Sequence, residues 1–242
     1  MYIRIVFEDL GEIPAIIEKE EYYKIVEKSL PVKSEARVWK EEVYFSTGID
    51  LSGKGVSRIR SGRLAYWPPE KSMCLFAWSN QPYGRVIRLG WFLGPKHYVL
   101  EVEDGMEVRV EKLSNERYSA ELIRVVEKLR SEGFYVAPRV WEDGESIVGA
   151  SIYNGRVGFE IFVEDFGFIA ETDPLYYRDF SAQDEAYRRV LKRLLKSRVD
   201  VNEENYVILS TFAETLDDLV LKLKRLVVEY RSAERILGQV LG

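Results

Sequence analysis

The spacing of apolar residues along the chain shifts between a strand-like and a helix-like period, and the shifts mark out its elements. Tyr2-Ile3-Arg4-Ile5-Val6-Phe7 is β-branched and aromatic and predicts a strand. Ile16, Ile17, Tyr23 and Val26 can share one helical face, which predicts a helix over residues 15–28, closed by Leu30-Pro31. From Arg37 to Val110 short apolar or alternating runs alternate with clusters of Gly, Pro, Asn and Ser, the pattern of a small barrel or sandwich. Within it, residues 98–103 and 106–111 flank Asp104-Gly105, a pair suited to the positive φ angles of a tight hairpin.

The helical period returns after Lys112, where the first domain is expected to end. Ser114-Asn115 offers an N-cap, and Tyr118, Leu122, Val125, Val126 and Leu129 fall on one helical face before Gly133. Three strands follow, joined by Asp143-Gly144 and Asn154-Gly155. In the third, Val157, Phe159, Ile161 and Val163 alternate with Gly158, Glu160 and Phe162. Residues 166–171 extend the meander up to Asp173-Pro174. Ser181 starts a helix carrying Val190, Leu191, Leu194 and Leu195, residues 206–212 form a strand, and Thr215 caps a long final helix lined by Leu216, Leu219, Val220, Leu223, Leu226, Val227 and Tyr230. Helix, meander, helix, strand, helix predicts an α+β sandwich over residues 113–242, with helices layered on one sheet face. That order is faintly similar to the type III secretion chaperone-like fold, on no specific motif. The linker at residues 112–116 is short, so the halves are expected to touch and to leave a groove between them as a ligand site.

The stretch Ser61-Gly62-Arg63-Leu64-Ala65-Tyr66-Trp67-Pro68-Pro69, followed by Met73-Cys74-Leu75-Phe76-Ala77-Trp78, reads as two strands around a proline turn. Together with Trp39-Lys40-Glu41-Glu42-Val43-Tyr44-Phe45 upstream and Gly90-Trp91-Phe92-Leu93-Gly94 downstream, it resembles the small prokaryotic cyclophilin-like barrels, whose biochemical role is not established. The resemblance covers roughly residues 1–94 and implies a closed all-β barrel with one helix over residues 1–112. Resemblance to the classical cyclophilins would imply prolyl cis/trans isomerisation, in which an arginine stabilises the twisted amide. The classical Phe-His-Arg strand and Gln-Gly-Gly stretch have no counterpart here, so none of Arg37, Arg58, Arg63, Arg85 or Arg88 takes the catalytic role by motif. A barrel without a preorganised pocket does little to a barrier of about 18–20 kcal/mol. A binding module rather than an enzyme is therefore expected, with isomerase as the alternative.

Composition narrows the partners. Lys and Arg number 35 against 40 Asp and Glu, and the net charge of -5 disfavours a general attraction to nucleic acid or anionic membranes. The single cysteine, Cys74, lies in an apolar run and allows no intramolecular disulfide, which fits a reducing cytoplasm. Charged residues at Glu8 and Asp9 argue against a signal peptide, and no apolar run reaches membrane-spanning length. Abundant Glu and Arg with few Met and His suit a thermophile.

Candidate ligand-binding residues are Glu42, Tyr44, Arg63, Tyr66, Trp67 and Trp78. A Glu42 turned inward is costly unless paired, and Arg63 beside aromatic faces can recognise a carboxylate or phosphate. On the helix after Ser181, Arg188, Lys192 and Lys196 recur at four-residue steps with Arg189 and Arg193 beside them, a basic side that could bind RNA or an acidic partner. Leu221 and Val228 lie outside the main apolar stripe of the last helix and suggest a contact with the other domain or with a second subunit in a homo-oligomer. One His and one Cys do not make a usual zinc site, and Glu171 with Asp173 lacks the ligand spacing of a calcium loop, so no metal and no cofactor are expected. Gly53-Lys54-Gly55 lacks the spacing of a phosphate loop. The reading is a cytoplasmic two-domain binding module for a small molecule or peptide.

Overall fold

The structure is a computed structural model and describes residues 1–141 and 144–241. Strands β1 (Tyr2–Phe7), β2 (Gly11–Ile17), β3 (Val32–Glu35), β4 (Arg37–Trp39), β5 (Glu42–Ser46), β6 (Gly55–Val56), β7 (Arg63–Trp67), β8 (Ser72–Phe76), β9 (Val86–Phe92) and β10 (Glu107–Lys112) form one antiparallel sheet, with α1 (Glu20–Glu27) beside it. The path runs β3-β10-β1-β2-β9-β7-β8-β5-β4, with β6 on β9. The sheet curls into a barrel that is nearly closed, where the sequence predicts a closed one. Strands β3 and β4 end the path, and they meet through the chain at the buried Ala36 instead of through a hydrogen-bond ladder.

The rest builds a second sheet from β11 (Tyr135–Trp141), β12 (Gly144–Ser151), β13 (Val157–Glu164), β14 (Gly167–Thr172), β15 (Tyr176–Tyr177), β16 (Arg198–Val201) and β17 (Tyr206–Ala213), with α2 (Ala120–Ser131), α3 (Ala182–Leu194) and α4 (Leu216–Leu241). Its order is β11-β12-β13-β14-β17-β15, with β16 on β17. The two sheets are consistent with two domains. Ser181 accepts from Asp184 N at 3.0 Å and Thr215 from Asp218 N at 3.2 Å, so both predicted caps form. Of the Asp143-Gly144 turn, Asp143 lies outside the described residues.

Three layers result. Val136, Ile147, Val157, Phe159 and Ile161 face α2 and α4, whereas Ala137, Val148 and Ala150 on the opposite face join the barrel core. The helices lie on one face of the second sheet, as their order predicts, and the barrel covers the other. This explains why alternation does not leave Glu160 in solvent: it is buried at 2% exposure on the barrel side.

The same cover explains a misplaced helix. Residues 15–17 belong to β2, and only Glu20–Glu27 is helical. Strand β2 sits between β1 and β9 and is buried on both faces. A run apolar on every position carries no period to separate strand from helix. Residues 98–103 do not form a strand either; Lys96–Glu101 is a 3-10 turn. Ser119, not Ser114, caps α2, accepting from Leu122 N at 3.3 Å, while Ser114 caps a short 3-10 turn at Asn115–Arg117.

Buried ions fasten the layers. Asp173, 2% exposed, accepts from Lys96 N at 2.8 Å, Gly158 N at 2.5 Å and Arg156 Nη1 at 2.9 Å. Arg156 also donates to the Phe92 and Gly94 carbonyls of the barrel. Gly158 is required here, because a Cβ at that position would collide with Gly94 O. On the other side of the seam Arg139 donates from Nε to Glu12 O at 2.9 Å and from Nη1 to Glu160 at 3.1 Å. Glu12 in turn accepts from Arg4 at 2.9 Å, Tyr118 at 2.8 Å and Val140 N at 3.2 Å.

Removing one member of such a set leaves the other buried and unpaired. We expect Asp173→Ala to lose about 3–5 kcal/mol in urea denaturation, while Glu20→Ala, which breaks the exposed Lys24–Glu20 pair, leaves the midpoint unchanged.

Candidate functional site

Strand alternation divides β5, β8 and β7 into two faces. Val43, Leu75 and Leu64 are paired across the strands and point into the barrel; Glu42, Phe76 and Arg63, and next to them Tyr44, Cys74 and Ala65, point outward. On that outer face Ala65, Cys74, Phe76, Ile59 and Val86 make a small separate apolar cluster, flanked by Tyr44, Val56 and Trp67. A pocket of about 170 Å³ opens over it, with Glu42, Trp39, Tyr44, Trp67, Tyr83 and Val86 among its lining.

Glu42 is 6% exposed, and no N–H among the described residues donates to its carboxylate. Burial raises its pKa, and the neighbouring Cys74 thiol offsets this only in part. Burial, then the Glu42 charge, pushes the Cys74 thiol well up, which makes Cys74 an inert wall. Tyr44 meets Trp67 edge to face at a centroid distance of 6.1 Å. Trp67 Nε1 is buried without a partner. Lys40 Nζ lies 4.5 Å from the Trp39 ring centroid, so one wall already engages a cation.

The other predicted ligand residues lie elsewhere. Tyr66 points into the barrel core and its hydroxyl donates to Ile49 O. Arg63 stacks on Trp91, 3.5 Å from the ring centroid, and pairs with Glu18 at 2.8 Å. Trp78 lies under Lys96 Nζ, 4.0 Å from its centroid. The fold therefore brings together Glu42, Tyr44 and Trp67 of the six, and adds Trp39 and Tyr83. Trp39 stood in the quoted motif, but nothing in the local pattern tied Tyr83 to it, since it arrives on the loop before β9.

The basic side of α3 is less uniform than its spacing predicts. Arg188 lies largely covered and approaches Glu185 at 3.9 Å, while Arg189 approaches the same carboxylate at 3.8 Å. Lys192 and Arg193 are exposed; Lys196 lies beyond the end of the helix, which stops at Leu194 because β16 begins at Arg198. Of the four apolar residues predicted to oppose it, Leu191 is buried and Val190 and Leu194 are exposed.

Between the two sheets runs a second, acidic groove, lined by Glu101, Glu160, Glu171, Glu203 and Glu204 with Tyr98 and Trp141. Glu101 is pushed up to about 7 by burial and then by Glu204. Glu171 is likewise pushed up to about 7, by burial and then by Glu160, Asp200, Glu204 and Glu203. His97, at one wall, is lowered to about 4 by burial.

Residues 1–111 match the family described as Cyclophilin-like, so the amino-terminal half is a cyclophilin-like domain. Among solved structures, the chain is similar to a hypothetical protein from Archaeoglobus fulgidus, with 28% identity over 47% of this chain and 95% of that one and a TM-score of 0.41. It is also similar to McbB in complex with tryptophan, with 14% identity over 54% of each chain and a TM-score of 0.35. No curated protein matches.

The groove makes a pH prediction. A carboxyl whose folded pKa is raised from its ordinary value to about 7 holds its proton more tightly in the native state, so its stabilisation is complete below about pH 4.5 and is lost as pH rises through 7. Glu171→Gln should therefore gain about 1–3 kcal/mol over the parent at pH 8 and nothing at pH 5, read by denaturant unfolding at the two values.

Proposed function

We propose that the protein is a binding module whose barrel pocket takes a small organic cation, an ammonium or methylated amine borne by a metabolite or peptide. The observation that carries this reading is Glu42: a buried carboxylate without an N–H donor among the described residues, at a pocket walled by Trp39, Tyr44, Trp67 and Tyr83. A buried carboxylate is costly alone and inexpensive beside a cation. Aromatic faces attract the same cation through their quadrupoles, by about 2 kcal/mol when water is excluded. The walls are apolar, so they favour a poorly hydrated methylated nitrogen over a metal ion.

The pocket offers a carboxylate where prolyl isomerisation requires a cation over the amide. Arg63, on the same strand as Trp67, is turned to Glu18 and Trp91. Nothing in this geometry favours the isomerase over the binding module.

Choline and its neutral isostere 3,3-dimethylbutan-1-ol separate charge from shape. Titrated against tryptophan fluorescence, choline should bind saturably and about 10–100-fold tighter than the alcohol, and Glu42→Gln should bring the two together, since a charge-assisted contact contributes about 1.5–3 kcal/mol. Equal binding of the two by the parent protein, or a choline affinity unchanged in Glu42→Gln, refutes the proposal.

A further inference from the structure

The acidic groove holds a second constellation, on different residues from the barrel pocket. His97 and Glu101 are four residues apart on the 3-10 turn that leaves the barrel, and Glu204 comes from the turn between β16 and β17 on the second sheet. A nitrogen of His97 and one carboxylate oxygen from each glutamate all lie within 4.8 Å of one another. The imidazole is what separates this group from an ordinary acidic patch. His97 is 3% exposed, its Nδ1 is buried with no partner, and its Nε2 faces Glu204 Oε2 at 3.7 Å, beyond hydrogen-bond range. The ring is held from both sides, with Tyr98 at 4.6 Å and Tyr206 at 5.4 Å between centroids, so its edge is fixed toward the groove. An imidazole packed in this way, with Nδ1 buried and unpartnered and a carboxylate just out of reach of Nε2, is arranged for a third party beside it.

The geometry points to a divalent transition-metal site formed by His97, Glu101 and Glu204 across the two sheets. Two carboxylates supply the charge that a dication requires. The imidazole selects against magnesium and calcium, which prefer all-oxygen ligands, and for zinc, cobalt or manganese. The protein supplies three ligands, which leaves a position open toward the groove for water or for an oxygen of a bound molecule. That is the arrangement of a reactive centre more than of a closed structural one. Glu160 and Glu171 stand further along the same groove and add negative potential. The count of one His and one Cys that set metal aside in the sequence misses a mixed nitrogen and oxygen set, because such a set needs no second histidine and its carboxylates arrive from distant segments.

The chain contains a single histidine, which makes the test unusually direct. Untagged protein is titrated with ZnCl2 by calorimetry, and with CoCl2 by visible absorption, while the imidazole nitrogen and carbon-bound proton signals of His97 are followed by NMR. One equivalent of zinc should bind, shift the His97 ring signals, and resist a large excess of magnesium. Glu204→Gln lies on an exposed turn and should keep the fold while weakening zinc at least about tenfold, as should Glu101→Gln. Zinc binding that leaves the His97 signals in place, an affinity in either variant equal to that of the parent protein, or no binding at all overturns the site.

Discussion

The barrel and the second sheet are held in one arrangement by charges buried between them, and that seam places the walls of the acidic groove. Arg156 and Asp173 are 3% and 2% exposed along their side chains, and Arg139 and Glu160 are 7% and 3% exposed. Two charges withdrawn from water are tolerated only when each finds its full set of partners, which restricts them to one geometry. Asp173 meets this by gathering the backbone N–H of Lys96 and of Gly158 along with Arg156. The 3-10 turn that starts at Lys96 is thereby pinned to the second sheet, and His97 and Glu101 are carried with it. Arg139, stacked over Tyr98 at 4.1 Å, holds the opposite wall of the groove.

Covering one side of the barrel also decides where its pocket can be. The outer face of β1 and β2, with Arg4, Glu12 and Ile16, lies under the second sheet and is buried. The outer face of β5, β8 and β7 is not covered by the second sheet, and Tyr44 and Trp67 remain half-buried around a cavity there. Glu42 stands at the start of β5 opposite Phe76, where the ladder supplies no donor to its side chain. The two candidate sites are thus products of the same asymmetry: one barrel face packs against the second sheet and the other is left open.

Elements whose burial is one-sided were legible in the sequence. The caps Ser181 and Thr215, the amphipathic stripes of α2 and α4 and the Asn154-Gly155 turn all follow local rules that tertiary structure left intact. The placement of β2 and the enclosure of Glu160 were not. Ile16 and Ile17 carry no period, and Glu160 obeys the alternation of β13 yet is enclosed because a second layer sits where solvent was expected. For the barrel pocket, Glu42, Tyr44 and Trp67 could be named from their place on strands, while Tyr83 could not, since it depends on how a loop folds back. Tyr66 illustrates the opposite case: its neighbour Trp67 faces the pocket, so a one-residue step turns it into the core.

If the buried seam is what makes the molecule one structure, the two sheets must unfold together. Four of the five tryptophans, at positions 39, 67, 78 and 91, report on the barrel, whereas α2, α3 and α4 on the second sheet dominate the helical circular dichroism. Guanidinium unfolding followed by both signals on one sample should give superimposable single transitions with a common midpoint. Barrel fluorescence and helix signal lost at separate midpoints would contradict the account.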